Sequence, residues 1–187
     1  DKSFFGIIKS YSTWLTGAFT GDLGFSFLYG KPVSDVISEY MWTSFTLAFI
    51  AFILEIVISI PMGIRAAVNQ YSGYDYTVSV LAMIGTALPS FFLAALLMNV
   101  FCIQLGWFPL QGLTTATKIF AADAHLEIFL DKAWHLVLPI TVLVLLGVGG
   151  LMRFTRTNML EVMNSDYIRT ARAKGLSEHT VVYKHAF

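Results

Sequence analysis

Charge is what this chain has least of. Of 187 residues, 12 are Lys or Arg and 12 are Asp or Glu, while 56% are hydrophobic. A soluble domain carries about twice that share of charge. With a mean hydropathy of +0.68, this composition excludes an ordinary soluble domain and points to a membrane. The formal charges cancel, so no basic excess points to nucleic acid, and the placement of charge matters more than its sum. Cysteine is nearly missing. Cys102 stands alone inside an apolar run, which excludes an internal disulfide framework and a multi-cysteine metal site. No G-x-x-x-x-G-K-[ST] phosphate loop occurs: the Gly-Lys pair at Gly30 and Lys31 is followed by Pro32, so ATP hydrolysis is not expected of this chain. No nucleophile and base pair is evident, nor are paired intramembrane acids, which argues against a membrane enzyme or an ion channel. The opening "DKSFFGIIKSY" has no initiator methionine and no signal-peptide pattern, and "VVYKHAF" carries no helix stop signal. A piece of a longer protein is expected on both counts.

Against these absences stand apolar runs at 45–64, 78–105 and 136–152, each long enough to be read as a membrane span. The first carries one acid, Glu55, has Pro61 near its end and is closed by Arg65. The second is longer than a bilayer core is thick and contains Pro89, so tilt or a bend is required. Around it, Gly85, Thr86, Ala87 and Ser90 are small enough to admit a neighbouring helix. In the third, Gly147, Gly149 and Gly150 again suggest close helix contact. Arg153, Arg156, Arg169, Arg172, Lys174 and Lys184 follow the third run, whereas 106–135 holds only Lys118 and Lys132. By the positive-inside rule, 153–187 is cytoplasmic, 1–44 and 106–135 are extracytoplasmic, and the turn "RAAVNQYSGYDYT" is inside. The expected fold is all-α, a polytopic transmembrane helical bundle, with no internal repeat and no separate soluble domain.

Few residues carry chemistry. Glu55 is a costly intramembrane acid that either lines a path or bonds a neighbouring helix. Pro89 and Ser90 are the other candidates for a translocation path, because a bend there would shape it. Asp123, His125, Glu127, Asp131 and His135 supply metal-ligand types, but their spacing fits no compact motif; a solvated amphipathic loop is expected and no metal site. Phe91, Phe92 and Trp107 suit packing or interface anchoring.

The most distinctive stretch is "YIRTARAKGL", Tyr167 to Leu176. Asn164, Ser165 and Asp166 are good N-cap residues, Gly175 is a good helix terminator, and Ser177 with Glu178 reads as a fresh N-cap. Two short helices joined by a sharp turn are expected on the cytoplasmic face. Such short helices need something to pack on. A protein partner would fit the small Thr170, Ala171 and Ala173; a basic patch for anionic lipid would fit Arg169, Arg172 and Lys174.

"DYIRTARAKGLSEHTVVYKHAF" resembles the EAA motif of ABC-importer permeases, a cytoplasmic loop with Glu-Ala-Ala, three residues and then glycine. Aligned on Gly175, Arg169, Thr170 and Ala171 occupy the Glu-Ala-Ala positions. Ala171 and Gly175 match the general motif, and the variant resembles the oligopeptide and dipeptide branch. "GDLGFSF" with "GKPVSDVI", "IPMGI", "GTALPSFFLAALL", and "LVLPITVLVL" with "RFTRTNMLEVMNSDY" resemble that family's first outer loop and its second, third and fourth helices in order. The resemblance covers nearly the whole chain. It implies a type I importer permease bundle whose first helix and last two helices lie outside this sequence, in a prokaryotic cytoplasmic (inner) membrane. It further implies a second permease subunit, cytoplasmic ATPase subunits carrying ATP and Mg, an extracytoplasmic substrate-binding protein, a peptide substrate and no cofactor in this chain. The residues implied to couple to the ATPase are Asp166, Tyr167, Arg169, Thr170, Ala171, Arg172, Ala173, Lys174 and Gly175. A nickel importer of the same family is the alternative, and an ATPase-independent channel or membrane enzyme is the alternative of another class.

Overall fold

The computed structural model describes residues 3–121 and 123–187. The segments expected outside the membrane, 1–44 and 106–135, thus include residues 1, 2 and 122, which lie outside the described residues. The chain divides into two compact units, Asp1–Leu47 and Ala48–Phe187.

The first unit contains a helix that sequence analysis does not assign. Helix α1, Phe4–Phe19, is about 24 Å long at about 1.5 Å per residue and has no buried residue. Its hydroxyls bond back along the helix, Ser12 to the Ile8 carbonyl and Thr13 to the Lys9 carbonyl. A short hairpin follows, β1 Phe25–Ser26 against β2 Lys31–Pro32, antiparallel with Phe25 opposite Pro32. Its tight turn uses Gly30 at φ +63, a conformation that other residues adopt only at a cost.

Helix α2, Val33–Val68, holds the first apolar run but begins well before it. Asp35 in the first turn complements the helix dipole. Pro61 sits inside without ending the helix. In the second unit α2 turns into α3, Gly73–Ala87, whose N-cap Ser72 accepts a hydrogen bond from the Asp75 amide at 3.2 Å. The bend expected at Pro89 is a complete break. Helix α3 stops there, and α4, Ser90–Leu97, continues as a π-helical stretch, Met98–Gln104, at an angle of 102° to it. The Pro89 carbonyl accepts from the amides of Phe92 and Leu93 at 3.0 and 3.1 Å, so proline opens the new helix rather than kinking the old one.

Helix α5, His125–Met163, is about 58 Å long at about 1.5 Å per residue. It contains the third apolar run, and residues 125–135 of the expected outer loop form its first turns. Helices α2 and α5 are each long and apolar enough to cross a membrane, and α3 with α4 and its extension qualifies if that bent pair counts as one span.

Packing in this unit rests on missing side chains. A Cβ on Gly149 would lie 2.7 Å from the Ala82 carbonyl oxygen, one on Gly85 3.3 Å from that of Leu145, and one on Gly63 2.7 Å from that of Met152. Gly150, beside Gly149, faces open space. The contact expected of the glycine triplet is therefore made by Gly147 and Gly149 and not by Gly150. Around the crossing, Ala66, Val78, Ala82 and Met152 form a buried cluster, and the fully buried Ser59 hydroxyl donates to the Val148 carbonyl at 3.3 Å.

Gly149→Ala and Gly150→Ala gain the same helix propensity, about 1 kcal/mol, but only the first drives a methyl into a backbone oxygen. Thermal unfolding in detergent should place Gly149→Ala about 1–3 kcal/mol below Gly150→Ala. Equal stability of the two variants would show that the helices do not approach as closely as described.

Candidate functional site

The basic stretch singled out by sequence forms a compact elbow. Helix α6 spans Asp166–Ala173 after the N-cap Ser165, whose hydroxyl donates to the Val162 carbonyl at 2.6 Å. Asp166 in the first turn favours the dipole. At Gly175 the backbone enters the left-handed region, φ +79, and its amide bonds the Arg172 carbonyl at 2.9 Å. Helix α7, Glu178–Thr180, starts at Ser177, whose hydroxyl accepts from the Thr180 amide at 3.3 Å, and widens into the π-helical stretch Val181–Ala186. The fresh cap read at Ser177 is thus present.

Two hydrophobic clusters hold the elbow. Ile168, Ala171 and Val181 pack together as its own core, with Val162 and Ala186 against them. The next residue, Val182, joins Ile64, Ala67 and Met159 at the ends of α2 and α5. Adjacent residues on α7's extension therefore fasten α6 to the helix ends. Of the residues expected at a partner contact, Ala171 lies inward in this core, while Asp166, Tyr167, Arg169, Thr170, Arg172, Ala173, Lys174 and Gly175 are exposed. Arg172 bridges α6 to Glu178 through Nε and Nη2 at 2.9 and 3.4 Å. Arg169 lies 3.6 Å from Asp166; such exposed pairs contribute roughly 0–1 kcal/mol.

The candidates for a path do not form one site. Glu55 is half-buried on α2, and its carboxylate fills the place where Gly147 of α5 would carry a Cβ. Pro89 and Ser90 are exposed at the break between α3 and α4. An apolar cavity of about 400 Å³ opens among α2 to α5, lined by Ile58, Met62, Leu88, Leu93, Val144 and Met152 among others. Neither Glu55 nor Ser90 is among its lining residues.

In the first turns of α5, Asp131 is buried and fully engaged. It accepts from the Thr115 amide at 2.6 Å and the Thr115 hydroxyl at 2.7 Å, and Lys118 Nζ lies 3.5 Å away. His135 Nδ1 is 2.7 Å from the Asp131 carbonyl; a carbonyl can only accept, so Nδ1 carries the proton. These contacts tie the loop to the first turns of α5. Of Asp123, His125, Glu127, Asp131 and His135, the last two adjoin at 3.9 Å, and among the described residues no three His, Cys, Asp or Glu side chains gather as a metal site would need.

One polar constellation escaped sequence analysis. Arg156 on α5 grips Asp75 on α3 with both arms, Nε to Oδ1 at 2.6 Å and Nη2 to Oδ2 at 2.7 Å. Asp75 is 2% exposed. It also accepts from the Tyr71 amide at 2.9 Å and the Ser79 hydroxyl at 3.4 Å. Tyr71 adopts φ +62, a cost that the amide bond to Asp75 offsets. One turn before Arg156, Arg153 Nη2 donates to Thr86 Oγ1 at 3.3 Å, near the other end of α3, and Arg65 lies over the Tyr74 ring at 4.4 Å. The available signal is an acid and a base at the ends of neighbouring apolar runs, whereas sequence analysis reads Arg156 as a marker of sidedness.

Comparison with known proteins bears on the whole arrangement. Residues 59–187 match the family model described as binding-protein-dependent transport system inner membrane component. The chain is 42% identical over 94% of its length to the oligopeptide transport system permease protein AppB of Bacillus subtilis, covering 54% of that protein. It is 35% identical over 94% of its length to the dipeptide transport system permease protein DppB of Alkalihalophilus pseudofirmus, covering 56%. To the oligopeptide transport system permease protein OppB of Haemophilus influenzae it is 35% identical over 96%, covering 54%. The chain thus spans about half the length of the curated relatives it matches. Its glycine-packed apolar helices, the basic elbow that follows them and this match over residues 59–187 make the chain a member of the family of inner membrane components of binding-protein-dependent transport systems.

Proposed function

We propose that the chain is part of the permease subunit of an ATP-driven importer that carries oligopeptides or dipeptides across the cytoplasmic membrane. The observation that carries the reading is the elbow: a short helix fastened to the ends of α2 and α5 by Val181 and Val182, with Tyr167, Arg169, Thr170 and Lys174 turned outward. The peptide substrate is taken from the names of the relatives, all of them peptide permeases; no observation favours nickel. The elbow docks on a cytoplasmic ATPase that binds ATP and Mg, a second permease completes the path, and a substrate-binding protein delivers the peptide from outside. Residues 1–44 and 106–135 are extracytoplasmic, 45–64, 78–105 and 136–152 lie in the membrane, and 153–187 is cytoplasmic. Movement of the ATPase reaches the membrane through Asp166 to Gly175 and switches the path between its two faces.

Gly175 separates docking from attraction to lipid. A Cβ there meets nothing within 4 Å, so Gly175→Val acts through the left-handed backbone alone, at about 1–2 kcal/mol or more, and leaves every charge in place. In the full-length complex, Gly175→Val should release the ATPase on purification or uncouple its hydrolysis from uptake, with permease abundance near normal. Full uptake in this variant, combined with failure when Arg169, Arg172 and Lys174 are replaced by glutamine, would mark the elbow as a lipid patch instead.

Sidedness has its own test. In a Cys102→Ala background, single cysteines at Ser34 and Thr117 should react with an impermeant thiol reagent from outside intact cells, and one at Ser177 should react only after permeabilisation. The reverse pattern overturns the topology.

A further inference from the structure

The pair formed by Asp75 and Arg156 is more than a packing detail because of where its two ends lie. Arg156 sits on the uninterrupted helix that runs into the elbow, with Asn164 closing α5 eight residues later, about 12 Å along the axis at about 1.5 Å per residue. Asp75 sits in the first turn of α3, the helix whose far end is the break at Pro89.

The carboxylate is held from both sides. The Tyr71 amide and the Ser79 hydroxyl fix it to its own helix and turn, so it has no freedom to follow the guanidinium independently of α3. Between the two ends, α3 and α5 meet across Gly149 on Ala82 and Gly85 on Leu145. Glycine against a backbone carbonyl sets the separation of the two helices, and Val78 and Ala82 of α3 pack with Met152 of α5 beside that contact. The polar links add directional contacts to this packing: Arg156 reaches Asp75 at the start of α3, and Arg153 reaches Thr86 near its end. Of the two, only the link to Asp75 joins opposite charges, and it is bidentate and largely shielded from water, with side-chain exposures of 23% for Arg156 and 3% for Asp75. Burial of such a pair is a poor source of net stability, since apolar residues of similar volume often serve as well. Its geometric specificity is what an apolar contact cannot supply.

We infer that the ion pair of Asp75 with Arg156 is the clamp that makes α3 travel with α5 when the elbow is displaced, so that both are positioning residues for transport. The inference rests on the elbow being the point at which the ATPase acts. Motion entering at α6 moves α5, the clamp passes it to α3 without slippage, and the break at Pro89 is where the moving pair parts from α4. Tyr74, stacked under Arg65, holds the adjoining turn to the end of α2.

The test uses the full-length importer in proteoliposomes and the variants Arg156→Gln, Asp75→Asn and the apolar double variant Asp75→Leu with Arg156→Met. Two quantities are read: ATP hydrolysed per peptide taken up, and the separation between spin labels at Tyr76 on α3 and Thr157 on α5, with and without ATP and vanadate, in a Cys102→Ala background. In the parent complex the separation should stay the same in both states. In the double variant the complex should assemble at near-normal abundance, yet the separation should change with nucleotide and the ATP used per peptide should rise tenfold or more. The single variants should show the same loss of coupling where they assemble. The clamp is overturned if the parent separation itself changes with nucleotide, or if the double variant transports at the parent ratio, which would make the pair a replaceable packing element. Hydrolysis without peptide uptake in the parent complex would defeat the substrate reading, while the label separation would still decide the clamp.

Discussion

Three helices in the second unit can touch because side chains are missing where they meet. Gly63 on α2 lies against the Met152 carbonyl, and Gly149 on α5 lies against Ala82 on α3. In lipid there is no hydrophobic gain from bringing two apolar helices together, so association depends on close van der Waals approach and on polar bonds across the contact. The glycines supply the approach. The bond from Ser59 to the Val148 carbonyl and the grip of Arg156 on Asp75 supply the second. Nothing else follows if these helices stand farther apart: Ala66, Met152 and Val78 lose their burial, and Arg156 no longer reaches its partner.

Helix α5 joins the features that matter. Near its start Asp131 and His135 tie down the preceding loop through Thr115, in its middle Gly147 makes room for Glu55, and near its end Met159 receives Val182 from the elbow. A single uninterrupted helix thus connects the loop before it, an acid in an apolar run and the elbow. Pro139 does not interrupt it, whereas at Pro89 the second apolar run bends by 102°.

Much of this was legible in sequence, for stated reasons. Long apolar runs announce buried or lipid-facing helices by length alone, and the elbow was readable because Ser165, Gly175 and Ser177 are residues whose local chemistry stops and starts helices. Helix α1 was not readable, since an apolar stretch interleaved with Ser12, Thr13 and Thr16 meets neither the length of a span nor the polar turn pattern of a loop. The early turns of α2 and α5 were missed for a related reason: exposed helices need no apolar run, and their turns around Asp35 and Glu127 look like any solvated segment. Pro89 forecast a bend, but the choice between a kink and a break depends on how α3 is held on α5, which lies 60 residues away in Gly149. The pair of Asp75 with Arg156 joins residues 81 apart, and no local periodicity encodes a partner at that distance.

The break at Pro89 has a consequence for solvation. Where α3 ends, the last carbonyl groups of a helix lose the amides that would have followed, and in a hydrocarbon medium nothing is available to replace them. The Leu88 amide still bonds to Ile84, but the next position is a proline with no amide to give. Irregular backbone inside an apolar run is tolerated only beside protein or water, never beside acyl chains. A guanidinium already stands close by, since Arg153 donates to Thr86, three residues before Pro89. The corner between α3 and α4 is therefore the point along this run where lipid must give way to a polar neighbour, and the amino acid that forces this carries no polar side chain of its own.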